Sequence, residues 1–204
     1  VTGMPVRRDF ADLPDRAEAR DRLGIQRCPF TILVVGGSQG ARRLNELVMG
    51  MWPIVNDGAT QILHQVGKRN LEEARSAGLP NADMYRIEPY LDMPVALAAA
   101  DLVICRAGAS TIAEVCAAGL PAILVPYPHA YADHQKCNAK QVSERGAAML
   151  VEEAKTSAPD LATIVSGLRA SPARLQAMAR ASSELGNPDA ARRVAEVVLQ
   201  VALA

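Results

Sequence analysis

Short apolar runs recur along this chain, each followed by a segment long enough to form a helix. Thr31–Val35, Gln61–Gln65, Met84–Ile87, Leu102–Cys105, Ala122–Val125 and Ala148–Val151 read as strands. Helical stretches are predicted between them at Ala41–Met51, Asn70–Ala77, Met93–Ala100, Ser110–Ala118 and Asp133–Arg145, with a charged helix at Asp15–Leu23 before the first strand. Pro159–Ala204 reads as helical, broken at Ser171-Pro172 and Asn187-Pro188. Alternation at this spacing predicts βαβ units in a parallel sheet. The expected fold class is α/β: a Rossmann-like, doubly wound parallel sheet of six strands. Ligands of such sheets bind outside the carboxyl ends of the strands, where strand order reverses.

The composition agrees. Half of the 204 residues are hydrophobic but only 3% are aromatic, so small aliphatic side chains must fill the core. One domain is the default at this length. The 22 basic and 22 acidic residues cancel, which argues against nucleic acid as a partner. No window reads as a membrane span, and no basic-then-apolar signal opens the chain. Cys28, Cys105, Cys116 and Cys137 form no CxxC pair and are expected to be reduced thiols. The chain starts at Val1 rather than Met, and is expected to be a fragment of a longer protein.

Two strand ends carry the chemistry. After Leu102–Cys105 comes Arg106-Ala107-Gly108-Ala109-Ser110-Thr111-Ile112-Ala113-Glu114. A tight turn here opens a helix, with Ser110 expected at its N-cap. Unpaired N–H groups and the positive dipole end suit a phosphate, and Arg106 adds charge. Glu114, one turn further on, can accept from the hydroxyls of a ribose. After Thr31–Val35, Gly36-Gly37-Ser38-Gln39-Gly40 reads as a second phosphate-type turn, with a plain structural strand–helix turn as the alternative. A third polar cluster follows the fifth strand, in Pro126-Tyr127-Pro128-His129 and then Asp133-His134-Gln135 and Asn138. Asp133 can cap the next helix, leaving His134 and Gln135 on its first turn, where short polar groups suit sugar hydroxyls.

Rival sites fit poorly. A dinucleotide fold wants GxGxxG and an acid at the end of the second strand, whereas this chain has GGxxG and ends that strand with His64-Gln65-Val66-Gly67. No Lys-Ser/Thr follows the glycines, so the turn is not a Walker loop. His129 and His134 lack a third zinc ligand, and no Asp-x-Asp ends a strand, so no metal is expected. His64 reads as a packed or partly exposed strand residue rather than a catalytic one.

Further segments complete a pattern. These are Gly3-Met4-Pro5-Val6-Arg7, Leu33-Val34-Val35-Gly36-Gly37-Ser38-Gln39-Gly40-Ala41, the Arg106–Thr111 turn with Glu114, Gly119-Leu120-Pro121, and Asp133-His134-Gln135 with Asn138-Ala139. Taken in order, they resemble the C-terminal half of the MurG family of peptidoglycan N-acetylglucosaminyltransferases, glycosyltransferase family 28. The resemblance covers nearly the whole chain, with residues 1–24 as interdomain junction and first helix and 187–204 as closing helix. It implies a GT-B architecture of two Rossmann-like domains facing a cleft. It further implies that this half binds the donor, UDP-N-acetylglucosamine (UDP-GlcNAc), without a cofactor.

By the same resemblance, Arg7 and Ser38 contact the diphosphate region. The helix start at Ala109, Ser110 and Thr111, continuing through Ile112 and Ala113, meets the phosphates, and Glu114 holds the ribose. Tyr90, or its neighbour Leu91, offers backbone groups to uracil, and Gln135 with His134 contacts the sugar. Met4 departs from the family's Asn. The glycine-rich segment that binds the acceptor and holds the base in the family's N-terminal domain is absent, so no catalytic residue is assigned here. Lipid I as acceptor, and contact with the cytoplasmic face of the bacterial inner membrane, are expected only through that missing domain. A stand-alone donor subunit of a two-subunit transferase and a non-catalytic nucleotide-binding module remain the alternatives.

Overall fold

The computed structural model describes residues 2–25, 30–37 and 40–203. Its centre is a six-stranded parallel sheet. The strands are β1 (Phe30–Val35), β2 (Thr60–Gln65), β3 (Tyr85–Glu88), β4 (Leu102–Cys105), β5 (Ala122–Leu124) and β6 (Ala148–Leu150), in the order β3-β2-β1-β4-β5-β6. The chain winds outward from β1 to β3, returns to place β4 against β1, and then winds the other way. Val35 stands beside Cys105 in that central pair. The Gly36 turn and the Arg106 turn therefore leave neighbouring strand ends at the reversal point, the crevice position of an open α/β sheet.

Strand periodicity divides the core in two. Ile32 and Val34 pack on one face with Leu44, Val48 and Trp52 of α2 (Arg42–Val55). Leu33 and Val35 pack on the other with α4 (Met93–Ala99) and α5 (Ala109–Ala117). α1 (Arg16–Leu23) precedes β1, and α3 (Leu71–Ser76) lies between β2 and β3. The later helices are α6 (His134–Glu144), α7 (Ala158–Arg169), α8 (Pro172–Leu185) and α9 (Ala190–Ala202).

Asp101 locks the first helix to the sheet. It accepts from Arg16, from the buried Arg20 at 2.7 Å and from the Thr31 amide at 2.8 Å, while Arg20 also donates to the Ala99 carbonyl. Just ahead of α9, Asn187 donates to the Thr2 carbonyl at 2.9 Å, tying the first residues to the start of the last helix.

Three local expectations change. The second helix does not stop at Met51 but runs through Pro53 to Val55. Trp52 and Val55 are buried, and Trp52 donates to the Pro80 carbonyl, which outweighs the proline in the last turn. The helix after β4 starts one residue early: Gly108 is the N-cap, and Ser110 does not cap it. Asp133 occupies the N-cap position of α6 but makes no capping hydrogen bond, because it and Ala132 are both left-handed, with φ of 53° and 48°.

No helix among the described residues is long and apolar enough to cross a membrane.

Candidate functional site

The site is built on the turn from β4 into α5. The first intrahelical bond runs from the Ile112 amide to the Gly108 carbonyl at 3.0 Å. The amides of Ala109, Ser110 and Thr111 precede it, at the positive end of the helix. No side chain caps them, since glycine holds the cap. A Cβ at Gly108 would meet nothing closer than the Thr111 hydroxyl at 3.8 Å, so the approach to these amides is open. Ala109 and Ser110 are exposed.

Glu114 lies one turn on. It is half-buried, and among the described residues no hydrogen bond or ion pair engages its carboxylate. Burial pushes its pKa above the usual carboxylate range, and the positive charge of Arg7 offsets only part of that rise. Arg7 lies over the Phe10 ring and is 3.8 Å from Asp92, with about half of its side chain exposed. Asp92 ends the loop that holds Tyr90 and Leu91. The Leu91 side chain is buried in the core, while Tyr90 is 64% exposed. Arg7, Glu114, the start of α5 and the β3–α4 loop thus form one neighbourhood.

The loop from β5 to α6 forms its second wall. The Tyr127 amide donates to Gln135 Oε1 at 2.9 Å, and His134 Nδ1 lies 2.6 Å from the Tyr131 carbonyl. Asn138 donates to the Ala107 carbonyl at 3.2 Å, tying α6 to the Arg106–Gly108 turn.

The glycine turn after β1 rests on a buried polar network. Val66 O accepts from Asn45 Nδ2 at 3.1 Å and from Asn70 Nδ2 at 2.9 Å. His64, wholly buried, bridges Asn45 and Tyr85. Of the packed and partly exposed roles open to His64 in sequence, the structure shows the packed one. Ser38 lies outside the described residues.

The structure gives three of the predicted contact residues other surroundings. Arg106 is not open to a phosphate: its guanidinium is enclosed, 2.6 Å from Glu153, and donates to the carbonyls of Val125 and Pro126. Ile112 has no free amide, since Gly108 takes it. Ile112 and Ala113 line a flank of α5 that does not include Glu114. With Ala109, Cys116, Asn138 and Val142, they border a cavity of about 600 Å³ between α5 and α6. Asp92 and Glu153 were not anticipated. Each partners an arginine remote in sequence, and no local pattern marks them.

Among the described residues, no group of three His, Cys, Asp or Glu side chains could hold a metal. Cys105 is buried, which pushes its thiol up to about 12 and leaves it a core residue.

Residues 31–194 match the family model of the glycosyltransferase family 28 C-terminal domain. The chain is 44% identical, over 99% of its own length and 47% of the relative's, to a protein of Xanthomonas campestris pv. campestris. That relative is named UDP-N-acetylglucosamine--N-acetylmuramyl-(pentapeptide) pyrophosphoryl-undecaprenol N-acetylglucosamine transferase. A protein of the same name from Cupriavidus pinatubonensis is 41% identical, with 98% of this chain and 56% of the relative covered. The crystal structure of Acinetobacter baumannii MurG superposes with a TM-score of 0.79 at 31% identity, covering 94% of this chain and 55% of that one. The chain thus spans about half the length of the relatives it matches.

Proposed function

The chain belongs to glycosyltransferase family 28 through its C-terminal domain, and from that premise we propose that it is the UDP-GlcNAc-binding half of the transferase that adds N-acetylglucosamine to lipid I. One observation carries the reading. An uncapped helix start and a half-buried Glu114, without a hydrogen-bond partner among the described residues, lie on one helix beside the charge of Arg7. A buried carboxylate without a partner is costly, and ribose hydroxyls would supply one. In this reading, the amides of Ala109, Ser110 and Thr111 take the diphosphate with Arg7, and Ser38 adds a hydroxyl. Glu114 takes the ribose, the backbone at Tyr90–Leu91 takes uracil, and Gln135 with His134 takes the sugar.

Transfer proceeds with inversion, as the acceptor hydroxyl attacks the anomeric carbon and negative charge grows on the leaving diphosphate. Each well-placed donor at such a position stabilises the transition state by about 3–4 kcal/mol. The base and the acceptor-binding surface belong to the half of the relatives that this chain does not match. Attachment to the cytoplasmic face of the membrane is assigned to that half too.

Saturation-transfer NMR tests the reading. With UDP-GlcNAc present, protons of uracil, ribose and the N-acetyl group should all receive magnetisation from the chain. Signal on none of them, from a folded chain, would overturn the proposal.

A further inference from the structure

Arg106 makes four contacts at once, all on the loop that leads into α6 or on its support. Its guanidinium is 2.6 Å from Glu153, donates at 3.2 Å to each of the Val125 and Pro126 carbonyls, and sits 5.5 Å from the centre of the Tyr127 ring. Both partners of the ion pair are close to nine-tenths buried, at 11% and 9% side-chain exposure. Tyr127 then donates its amide to Gln135 Oε1 at 2.9 Å. A continuous line of contacts runs from Glu153 through Arg106 and Tyr127 to Gln135.

The far end of that line is strained. Ala132 and Asp133, immediately before α6, both hold left-handed φ values without being glycine. Such backbone persists only where its surroundings over-determine it. The anchored segment at Val125–Tyr127 and the tie from Asn138 to Ala107 supply that constraint.

We propose that Arg106 and Glu153 are positioning residues for the sugar-recognising end of the site: they hold the β5–α6 loop so that Gln135 and His134 present their polar groups to the hexose, and Arg106 itself does not touch the diphosphate. This rests on the donor reading above. The polar contacts all leave one guanidinium nitrogen, Nη1; a lysine at position 106 keeps the charge but lacks the planar group that lies over the Tyr127 ring.

Calorimetric titration of the chain with UDP and with UDP-GlcNAc separates the possibilities. Wild type should bind UDP-GlcNAc more tightly than UDP. Arg106→Lys and Glu153→Gln should each weaken UDP-GlcNAc by about threefold to tenfold, the contribution of one hydrogen bond. UDP affinity should change less than twofold. Glu153→Gln keeps the shape of the side chain and lies away from any ligand contact, so it serves if Arg106→Lys unfolds, with a thermal melt of each variant as the control. Equal losses for both ligands would overturn the proposal and assign Arg106 to the diphosphate. An unchanged ratio of the two affinities, in variants or relative to wild type, would overturn the positioning role. Failure of wild type to bind UDP at all would instead sink the donor reading.

Discussion

His64 donates from Nε2 to the side-chain oxygen of Asn45, 3.1 Å away, with both residues sealed from solvent. The direction follows from the neighbours. Asn45 uses its amide nitrogen on the Val66 carbonyl, so its oxygen faces the imidazole and can only accept. Nδ1 then accepts from the Tyr85 hydroxyl at 2.7 Å. His64 is therefore neutral, protonated on Nε2.

Burial holds the His64 pKa down to about 3, against about 6.5 when unfolded. Between those values the unfolded chain binds a proton that the folded chain does not. The stabilisation is complete above pH 6.5 and is lost as pH falls toward 3. Urea unfolding at pH 7.5 and pH 5 should differ by about 2 kcal/mol from this residue. His64→Gln should flatten that slope, whatever its effect on the absolute stability. An equal slope in the variant would show that the histidine is not the cause.

Two glycines should separate folding from binding. Gly40 has φ of +78°, and a Cβ there would lie 2.1 Å from Asn70 Nδ2 and 2.8 Å from the Val66 carbonyl. Gly40→Ala should lower stability by about 1–3 kcal/mol in chemical denaturation. Gly108 has φ of −67° and open space around it. Gly108→Ala should cost less than about 1 kcal/mol, the change from glycine to alanine at a cap. Its added methyl obstructs the amides of Ala109–Thr111, so UDP affinity should fall about tenfold, measured by titration. A Gly108→Ala chain with wild-type UDP affinity would remove the helix start from the site.

Arg7 is half exposed and only loosely paired with Asp92, so little of the fold depends on it. Arg7→Gln should leave the melting temperature within about 1–2 °C, as exposed ion pairs contribute little. It should weaken UDP by about tenfold and leave uridine unchanged, because only the former carries the diphosphate. Equal losses for UDP and uridine would place Arg7 elsewhere.

Much of the fold was legible because the buried strands announce themselves. Leu102–Cys105 is a continuous apolar run, and it is a strand with those bounds. The candidate site was legible where one segment carries several of its groups, as in Gly108 through Glu114. Long-range partners were not. Arg106 reads as a free cation in sequence, and only the fold brings Glu153 and two carbonyls to it. The course of α2 through Pro53 depends on the burial of Trp52, a tertiary effect that local propensity opposes. Ser110 is a strong N-cap by type, yet Gly108 takes the cap, and the nearby amides have no side-chain cap.

The central claim is that Glu114 is held half-buried and unpartnered for a ribose. Calorimetric titration of UDP-GlcNAc into wild type and Glu114→Ala tests it most directly, with thermal melts alongside. Removing a charged hydrogen-bond acceptor should weaken binding at least tenfold. The melting temperature should hold or rise, since among the described residues the carboxylate has no hydrogen bond or ion pair to lose. Unchanged affinity in the variant, or a marked loss of stability without loss of affinity, would contradict the account.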